Sequence, residues 1–436
     1  MKSNRQKWLA ILMTMLTLGT AWAIRGRFGH EWGAAWAGSL GVVSMVLASG
    51  RKDWIKNWPS IMAIGAIGWG MTGMISYGVV VGYGKGTEFF NVSYGLLGLF
   101  VIGGLFGFLG GGLTGMLLET SEKKKPDWAM LVTQMVAGGY LVWGGLIYQF
   151  ELLMTPPRSE LWAGCLGAAA ALAWYMKRNG YNRSWNVAFY SMVGGGFGFA
   201  FGNFLQTMGF VSGISFNWWN VMEYSIGFFG GLGMAYGIFN QTWPEMPKLS
   251  NSANWWSGAL IFLFVPALVI SFAFNHEKLA EMAERLSMSN VESYIVSQWI
   301  QVAILSLLAL FVIGTQFYKI IKGSANWKNV FYVLVASWLW YFLLRTISSG
   351  TFYEYRFTSD DLGIPNIIIV LLVLWKTRPW TPFVNPVSDR KLKTQLTKVW
   401  GGVIAVLLIL AAIASSSHDE MHGANKRFGD QTEKTE

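Results

Sequence analysis

The sequence predicts an all-α, polytopic integral membrane protein, a helical bundle of about thirteen transmembrane helices. Three observations carry this. Of 436 residues, 53% are hydrophobic and only 13% are charged, against about 25% charge in a soluble globular domain. Apolar runs near the twenty or so residues that a helix needs to cross a bilayer core recur along the whole chain. Between them, Lys and Arg gather in every second gap, which is how membrane proteins distribute basic residues.

The runs are 8–24, 32–49, 60–82, 93–118, 128–150, 160–176, 185–206, 220–240, 255–274, 295–318, 329–347, 362–375 and 399–415. The first follows a basic start, and Ala21-Trp22-Ala23 resembles a leader cleavage site. A counterpart of this run in the middle of the chain, described below, argues that it is retained. The twelfth run is short and contains Pro365. Between the ninth and tenth runs, residues 275–294 place Leu279, Met282, Ala283 and Leu286 at helical spacing beside Glu281, Glu284 and Arg285. This predicts an amphipathic helix on the outer face. Its acidic balance suits a lid or packing strut better than an anchor on anionic lipid. Residues 416–436 are polar and predict a disordered tail.

With the N-terminus in the cytoplasm, two thirds of the 33 Lys and Arg fall in inside segments. That is the positive-inside pattern. It predicts a protein of the plasma (inner) membrane whose C-terminus lies outside.

An internal repeat organises the first half. Trp36-Ala37-Gly38-Ser39-Leu40-Gly41 returns as Trp162-Ala163-Gly164-Cys165-Leu166-Gly167, at an offset of 126. Gly65, Gly73, Asn91 and Val92 return as Gly194, Gly202, Asn220 and Val221, and Trp8 returns as Trp128. Residues 1–119 and 120–245 therefore read as two four-helix units. An even number of spans gives both the same polarity, so the repeats are parallel. Residues 246–398 read as a divergent third unit, and 399–415 as an additional helix. Glycine divides the same way, with 43 of 52 in residues 1–245.

Composition also excludes function classes. The net charge of +10 is spread over short clusters between apolar runs, so it forms no stripe for nucleic acid. A single cysteine, Cys165, permits no internal disulfide. No phosphate-loop, dinucleotide-binding or HExxH pattern occurs in a fitting context. His418 and His422 have no third ligand nearby, where zinc sites use three or four. No metal and no cofactor is expected. The expected partners are the lipid bilayer and a small solute.

Candidate site residues are the ionisable and polar groups that hydrocarbon disfavours. The turn after the first run carries Arg25, Arg27, His30 and Glu31. Arginine suits carboxylate or phosphate, and His30 beside Glu31 could couple protons. Asn203 and Gln206 lie in the seventh run, Glu223 in the eighth, and Arg345 near the end of the eleventh. A Glu223–Arg345 ion pair is one expectation for the last two. The outer segment 352–357, followed by Asp360 and Asp361, adds Tyr353 and Glu354, which could meet a sugar or organic solute. Glycines spaced by four (Gly103, Gly107, Gly111 and Gly115; Gly194, Gly198 and Gly202) predict close helix packing. Gly111-Gly112 and Gly194-Gly195-Gly196 are where a helix break is expected.

These features favour a transporter or permease for a small anionic or sugar-like solute bound in the outer half of the bundle. Two other readings are a membrane-embedded acyl or glycosyl transferase at the outer face, using His30-Glu31, and a non-catalytic membrane subunit.

Overall fold

The computed structural model describes residues 2–355, 357–381 and 387–428. Within these the protein is all-helical. The first ten helices are α1 (Lys2–Ile24), α2 (His30–Ser49), α3 (Lys52–Lys56), α4 (Trp58–Gly70), α5 (Gly78–Tyr83), α6 (Phe89–Leu118), α7 (Trp128–Trp143), α8 (Leu161–Arg178), α9 (Asn182–Val211) and α10 (Trp218–Phe239). The rest are α11 (Asn251–Ala259), α12 (Val265–Ala273), α13 (His276–Arg285), α14 (Val291–Ile321), α15 (Trp327–Ser348), α16 (Gly363–Lys376) and α17 (Asp389–Ser415). Eight helical segments among the described residues are long and apolar enough to cross a membrane: 4–28, 30–49, 89–118, 128–149, 251–273, 291–320, 327–348 and 389–415.

Several sequence expectations change in detail. The run 60–82 is not one helix. It ends at Gly70, passes through a non-helical stretch, and resumes as the six-residue α5. The run 362–375 is the 14-residue α16, which at 1.5 Å per residue spans about 21 Å, short of a bilayer core of about 30 Å. Pro365 falls in its first turn, where a missing N–H costs nothing. The last run extends backwards into the 27-residue α17. The amphipathic segment 275–294 is two elements, because α13 stops at Arg285 and Ser287 takes a left-handed φ of 53°. α13 does bury Leu279 and Ala283, as its pattern requires. Between α11 and α12 a π-turn, Leu260–Phe264, precedes Pro266; the wider turn gives room to a ring that would clash with the carbonyl four residues back.

At the centre are α6 and α9, continuous over 30 residues each. Neither breaks at its glycines, so the expected interruptions at Gly111-Gly112 and Gly194-Gly195-Gly196 do not occur. The glycines instead bring backbones together. A Cβ on Gly103 would meet the Gly195 carbonyl, and one on Gly107 the Ser191 carbonyl. Gly194 and Gly198 do the same against Phe229 and Ser225 of α10. In lipid, where apolar side chains gain little by leaving their solvent, such close dispersion contact holds helices together.

Around this pair, α10 packs on α9 and α1, α4 packs on α2 and α6, and α17 lies across α6 and α9. Helices α7 and α8 form a hairpin at one side, with α7 largely exposed. Trp36 stacks on Tyr341 with centroids 4.0 Å apart. Trp162, its counterpart in the matching sequence segments, donates instead to Glu160 at 2.6 Å, so the two tryptophans have different surroundings.

The basic end of the bundle is tied by polar contacts. Arg51 donates to the Trp243 carbonyl at 3.0 Å, Asn57 to the Pro247 carbonyl at 2.9 Å, and Ser184 to Glu119 at 2.7 Å. The opposite end, where α1 stops and α2 and α10 begin, holds the candidate site.

Candidate functional site

The turn Arg25–Phe28, a short 3-10 helix, sends its two arginines to different partners. Arg25 is only 1% exposed. Its Nη2 donates to Glu223 Oε2 at 2.9 Å and to Tyr77 Oη at 3.3 Å, and its Nη1 donates to the His30 carbonyl at 3.1 Å. The guanidinium lies 4.5 Å from the Trp22 ring centroid. Tyr77 donates to the other Glu223 oxygen at 2.6 Å. His30 Nδ1 stands 3.4 Å from Tyr77 Oη and 3.5 Å from Arg25 Nη1. The result is a four-residue polar cluster, Arg25–Tyr77–Glu223–His30, with one buried donor, Arg25 Nε, left without a partner.

Local chain geometry explains how these residues meet. Gly29, with φ 87°, turns the chain from the Arg25 helix into α2. A Cβ on Gly33 would collide with the Arg25 carbonyl, and one on Gly73 with the His30 carbonyl. Gly73 lies in the gap between α4 and α5, so the interrupted helix presses its bare backbone onto the turn. Tyr77 then caps the start of α5 from within that gap. Irregular backbone at membrane depth is tolerated only where protein buries it or it lines a cavity.

A second cluster adjoins the first. Arg27 Nε donates to Asp360 Oδ2 at 2.5 Å. Arg345, buried at the end of α15, donates to Asp361 at 2.7 Å and to the Thr358 hydroxyl, and its Nε lies 3.4 Å from Asp360. Asn220 Nδ2 donates to Ser359 at 2.7 Å. The expected Glu223–Arg345 pair is therefore not formed; Arg25 takes Glu223, and Arg345 takes the two aspartates. Burial works against the charge on Asp361, but the hydrogen bonds from Arg345 and Thr358 outweigh it and hold its carboxyl below the usual carboxylate range.

Asn203 and Gln206 are fully buried on α9. Asn203 donates to the Val81 carbonyl at 3.3 Å and to Gln206 Oε1 at 3.2 Å. They join the first cluster through α5: Tyr77 meets Phe199 edge-on at 5.0 Å, and one turn further along both helices Val81 meets Asn203. Glu31 lies beside His30 and makes no side-chain hydrogen bond or ion pair among the described residues. Tyr353 is elsewhere, its ring 5.3 Å from Tyr294 on α14 and its hydroxyl near Gln298. Glu354 follows it in the same turn. Arg356, in the same aromatic segment, lies outside the described residues, as do 429–436 of the tail.

A cavity of about 320 Å³ opens between α1, α10 and α16, lined by Thr20, Ile24, Asn220, Tyr224, Asp360 and Asn366 among others. Its size falls in the range of small-molecule sites. Asn220, Ser359 and Asp360 of the second cluster line it, while the first cluster reaches it only through chain neighbours, Ile24 beside Arg25 and Tyr224 beside Glu223. A larger groove of about 640 Å³ between α4, α7 and α8 is lined by Ile67, Met71, Trp128, Leu131 and Cys165. It is almost wholly apolar and borders the exposed α7, as a surface facing acyl chains would be. A third cavity, of about 620 Å³ at the basic end, is lined by charged side chains including Lys52, Asp53, Glu122 and Lys248, but by no residue of either cluster. We place the chemistry at the first cavity because Asp360, which pairs with Arg27 and Arg345, forms part of its wall. No group of three or more His, Cys, Asp or Glu placed to hold a metal occurs among the described residues.

Sequence reasoning missed Tyr77. It reads as one more aromatic in an apolar run, and only Gly73, Ser76 and Gly78 hint that the helix around it is interrupted. Comparison of the chain with protein-family models, with curated proteins and with solved structures finds no match.

Proposed function

We propose that the chain is a transporter or permease of the plasma (inner) membrane for a small polar solute, anionic or sugar-like, with its N-terminus cytoplasmic. In this reading the shorter and less apolar helices complete about thirteen spans, and the tandem units 1–119 and 120–245 frame the path. The observation that carries the reading is the buried Arg25–Glu223 ion pair at the interruption between α4 and α5. Arg25, His30 and Tyr77 come from the first unit and Glu223 from the second. Repeats in transporters frame their substrate site in this way, and discontinuous helices supply it.

The chemistry is partner exchange. Arg25 offers a planar double donor, and Glu223 occupies it in the present state. A solute carboxylate or hydroxyl group arriving through the cavity competes for those donors. Protonation of Glu223 weakens its hold, and His30 and Tyr77 are within reach to pass that proton. Burial keeps the exchange costly in the absence of solute, since a lone charge in hydrocarbon is expensive.

Purified protein reconstituted into vesicles is expected to accumulate one member of a panel of labelled organic acids and sugars. Glu223→Gln and Arg25→Ala should each lower the flux about tenfold or more, the loss expected when a charged hydrogen bond is removed. Removing one partner of a buried pair costs about 3–5 kcal/mol, so thermal melting in detergent checks that each variant folds. Flux unchanged in both folded variants, or absent for every solute in the unmodified protein, overturns the proposal.

A further inference from the structure

Among the described residues Lys85 is the one buried lysine, its ammonium not fully sealed from solvent, and the cluster above leaves it unused. It follows α5 and is 5% exposed. Its nitrogen lies 4.9 Å from the Phe210 ring centroid and 5.3 Å from that of Trp219. No hydrogen bond or ion pair reaches it among the described residues. The acid nearest in sequence, Glu88, is exposed and does not turn back to it. A charge largely withdrawn from water without a counter-ion carries a cost, and two aromatic faces offset only part of it.

On α9, whose Phe210 contacts Lys85, a second buried donor lacks an acceptor. Gln206 is fully buried, its Oε1 accepts from Asn203, and its Nε2 has no partner. Spacing on α9 fixes where it faces. A Cβ on Gly84 would overlap Asn203 Oδ1, and Phe210 covers Lys85. Gln206 stands between Asn203 and Phe210 on the same face, so it looks toward the Gly84-Lys85 turn. Trp219 belongs to the first turn of α10, whose N-terminal dipole adds further positive potential. The Lys85 ammonium and the Gln206 amide thus have no carboxylate as partner among the described residues, and Asn203 Oδ1, facing Gly84, is the acceptor at the edge of this place.

The tail closes this place. A Cβ on Gly423 would sit 3.9 Å from Lys85 Nζ. Asn425 is stitched to α5 by its own N–H to the Gly82 carbonyl at 3.0 Å and by its side chain to the Val79 carbonyl at 3.2 Å.

We infer that Lys85, with the Gln206 amide, is a binding point for an oxyanion, a carboxylate or phosphate group, held between α5, α9 and the start of α10 beneath residues 423–425. It deepens the transport reading, on which it rests for the movement of solute but not for the binding itself. The anion could belong to a free solute or to a lipid headgroup, which share this chemistry.

The test titrates acetate and inorganic phosphate into the full-length protein in nanodiscs of zwitterionic lipid, at constant ionic strength. Thermal melting follows the unmodified protein, Lys85→Gln, Lys85→Arg and Gln206→Leu. A saturable rise in melting temperature is expected for the unmodified protein and for Lys85→Arg. Lys85→Gln should bind about tenfold more weakly or worse, and Gln206→Leu should be weakened in part. A rise seen only when the nanodiscs contain anionic lipid, and lost in Lys85→Gln, supports the same site with a headgroup as its occupant. The inference is overturned by a rise that survives Lys85→Gln unchanged, or by none in either lipid while the protein melts cooperatively. Anion binding that depends on Lys85 without any vesicle flux would sink the transport reading and leave the site standing.

Discussion

Two arginines are buried at one end of the bundle, and they meet the cost of burial differently. Arg25 shares one carboxylate with a phenol, and itself donates to a backbone carbonyl and lies against an indole face. Arg345 has two aspartates and a threonine hydroxyl. The first arrangement rests on a single carboxylate; the second has two, Asp360 being shared with Arg27, and holds the end of α15 to the segment before α16. Asp361 gives this a pH signature. Its carboxyl lies below the usual range in the folded protein, so the stabilisation is complete above about pH 4, the ordinary carboxylate pKa, and fades as pH falls toward the lower folded value. Melting temperature in detergent should therefore drop more steeply below pH 4 for the unmodified protein than for Asp361→Asn. Parallel curves would show that the pair contributes nothing. Arg25, His30 and Glu223 stand out in the sequence because charge is rare in apolar runs. Their pairing does not, because Glu223 had two arginines to choose from and the choice depends on which helices become neighbours.

Among the elements, the contrast between α4–α5 and α6–α9 is the informative one. Both contain glycines, yet only the first is interrupted. In hydrocarbon a helix cannot trade its backbone hydrogen bonds for water, so glycine alone does not break it. The break in the 60–82 run falls where Gly73 must approach the His30 carbonyl and Tyr77 must reach Glu223. Periodicity could not show this, because the run is apolar on every side. Spacing by four did reveal the close packing of α6 and α9. Gly107 is its sharpest test. An added methyl there meets the Ser191 carbonyl, and a backbone neighbour cannot swing aside. Gly107→Ala should cost about 1–3 kcal/mol, the range for overpacking a tight core, measured as a lower midpoint of thermal or denaturant unfolding. Gly144→Ala, with open space around it, should leave the midpoint in place.

For the molecule as a whole, composition announced helices and a membrane, and eight helical segments have the length and apolarity to cross one. Composition misled about the tail. Residues 416–428 look like unstructured polar chain, yet Asn425 and Arg427 reach α5 and Asn91 of α6, the latter at 2.6 Å, and Phe428 meets Tyr94 edge-on at 5.4 Å. A polar segment finds order here because α5 and the turn after it leave backbone carbonyls and an asparagine in want of partners. If the tail covers Lys85, removing it should expose that position. In a Cys165→Ala background, a thiol introduced as Lys85→Cys should react slowly with a methanethiosulfonate reagent. Deleting residues 418–436 should raise the rate several-fold. Equal rates would show that the tail is no cover.

Where Gly103 meets the Gly195 carbonyl and Gly107 the Ser191 carbonyl, α6 and α9 mesh main chain to main chain, and the rings of Phe100, Phe106 and Phe199 pack around the joint. Such a joint neither slides nor rolls without prising the pair apart, so it serves as the keel of the protein. In the transport reading proposed above, the working stroke is then made by lighter parts hung on that keel, foremost the short α5 and its flanking glycines. Spin labels spanning α6 and α9 should report one fixed distance in every condition, while labels on α5 report the motion.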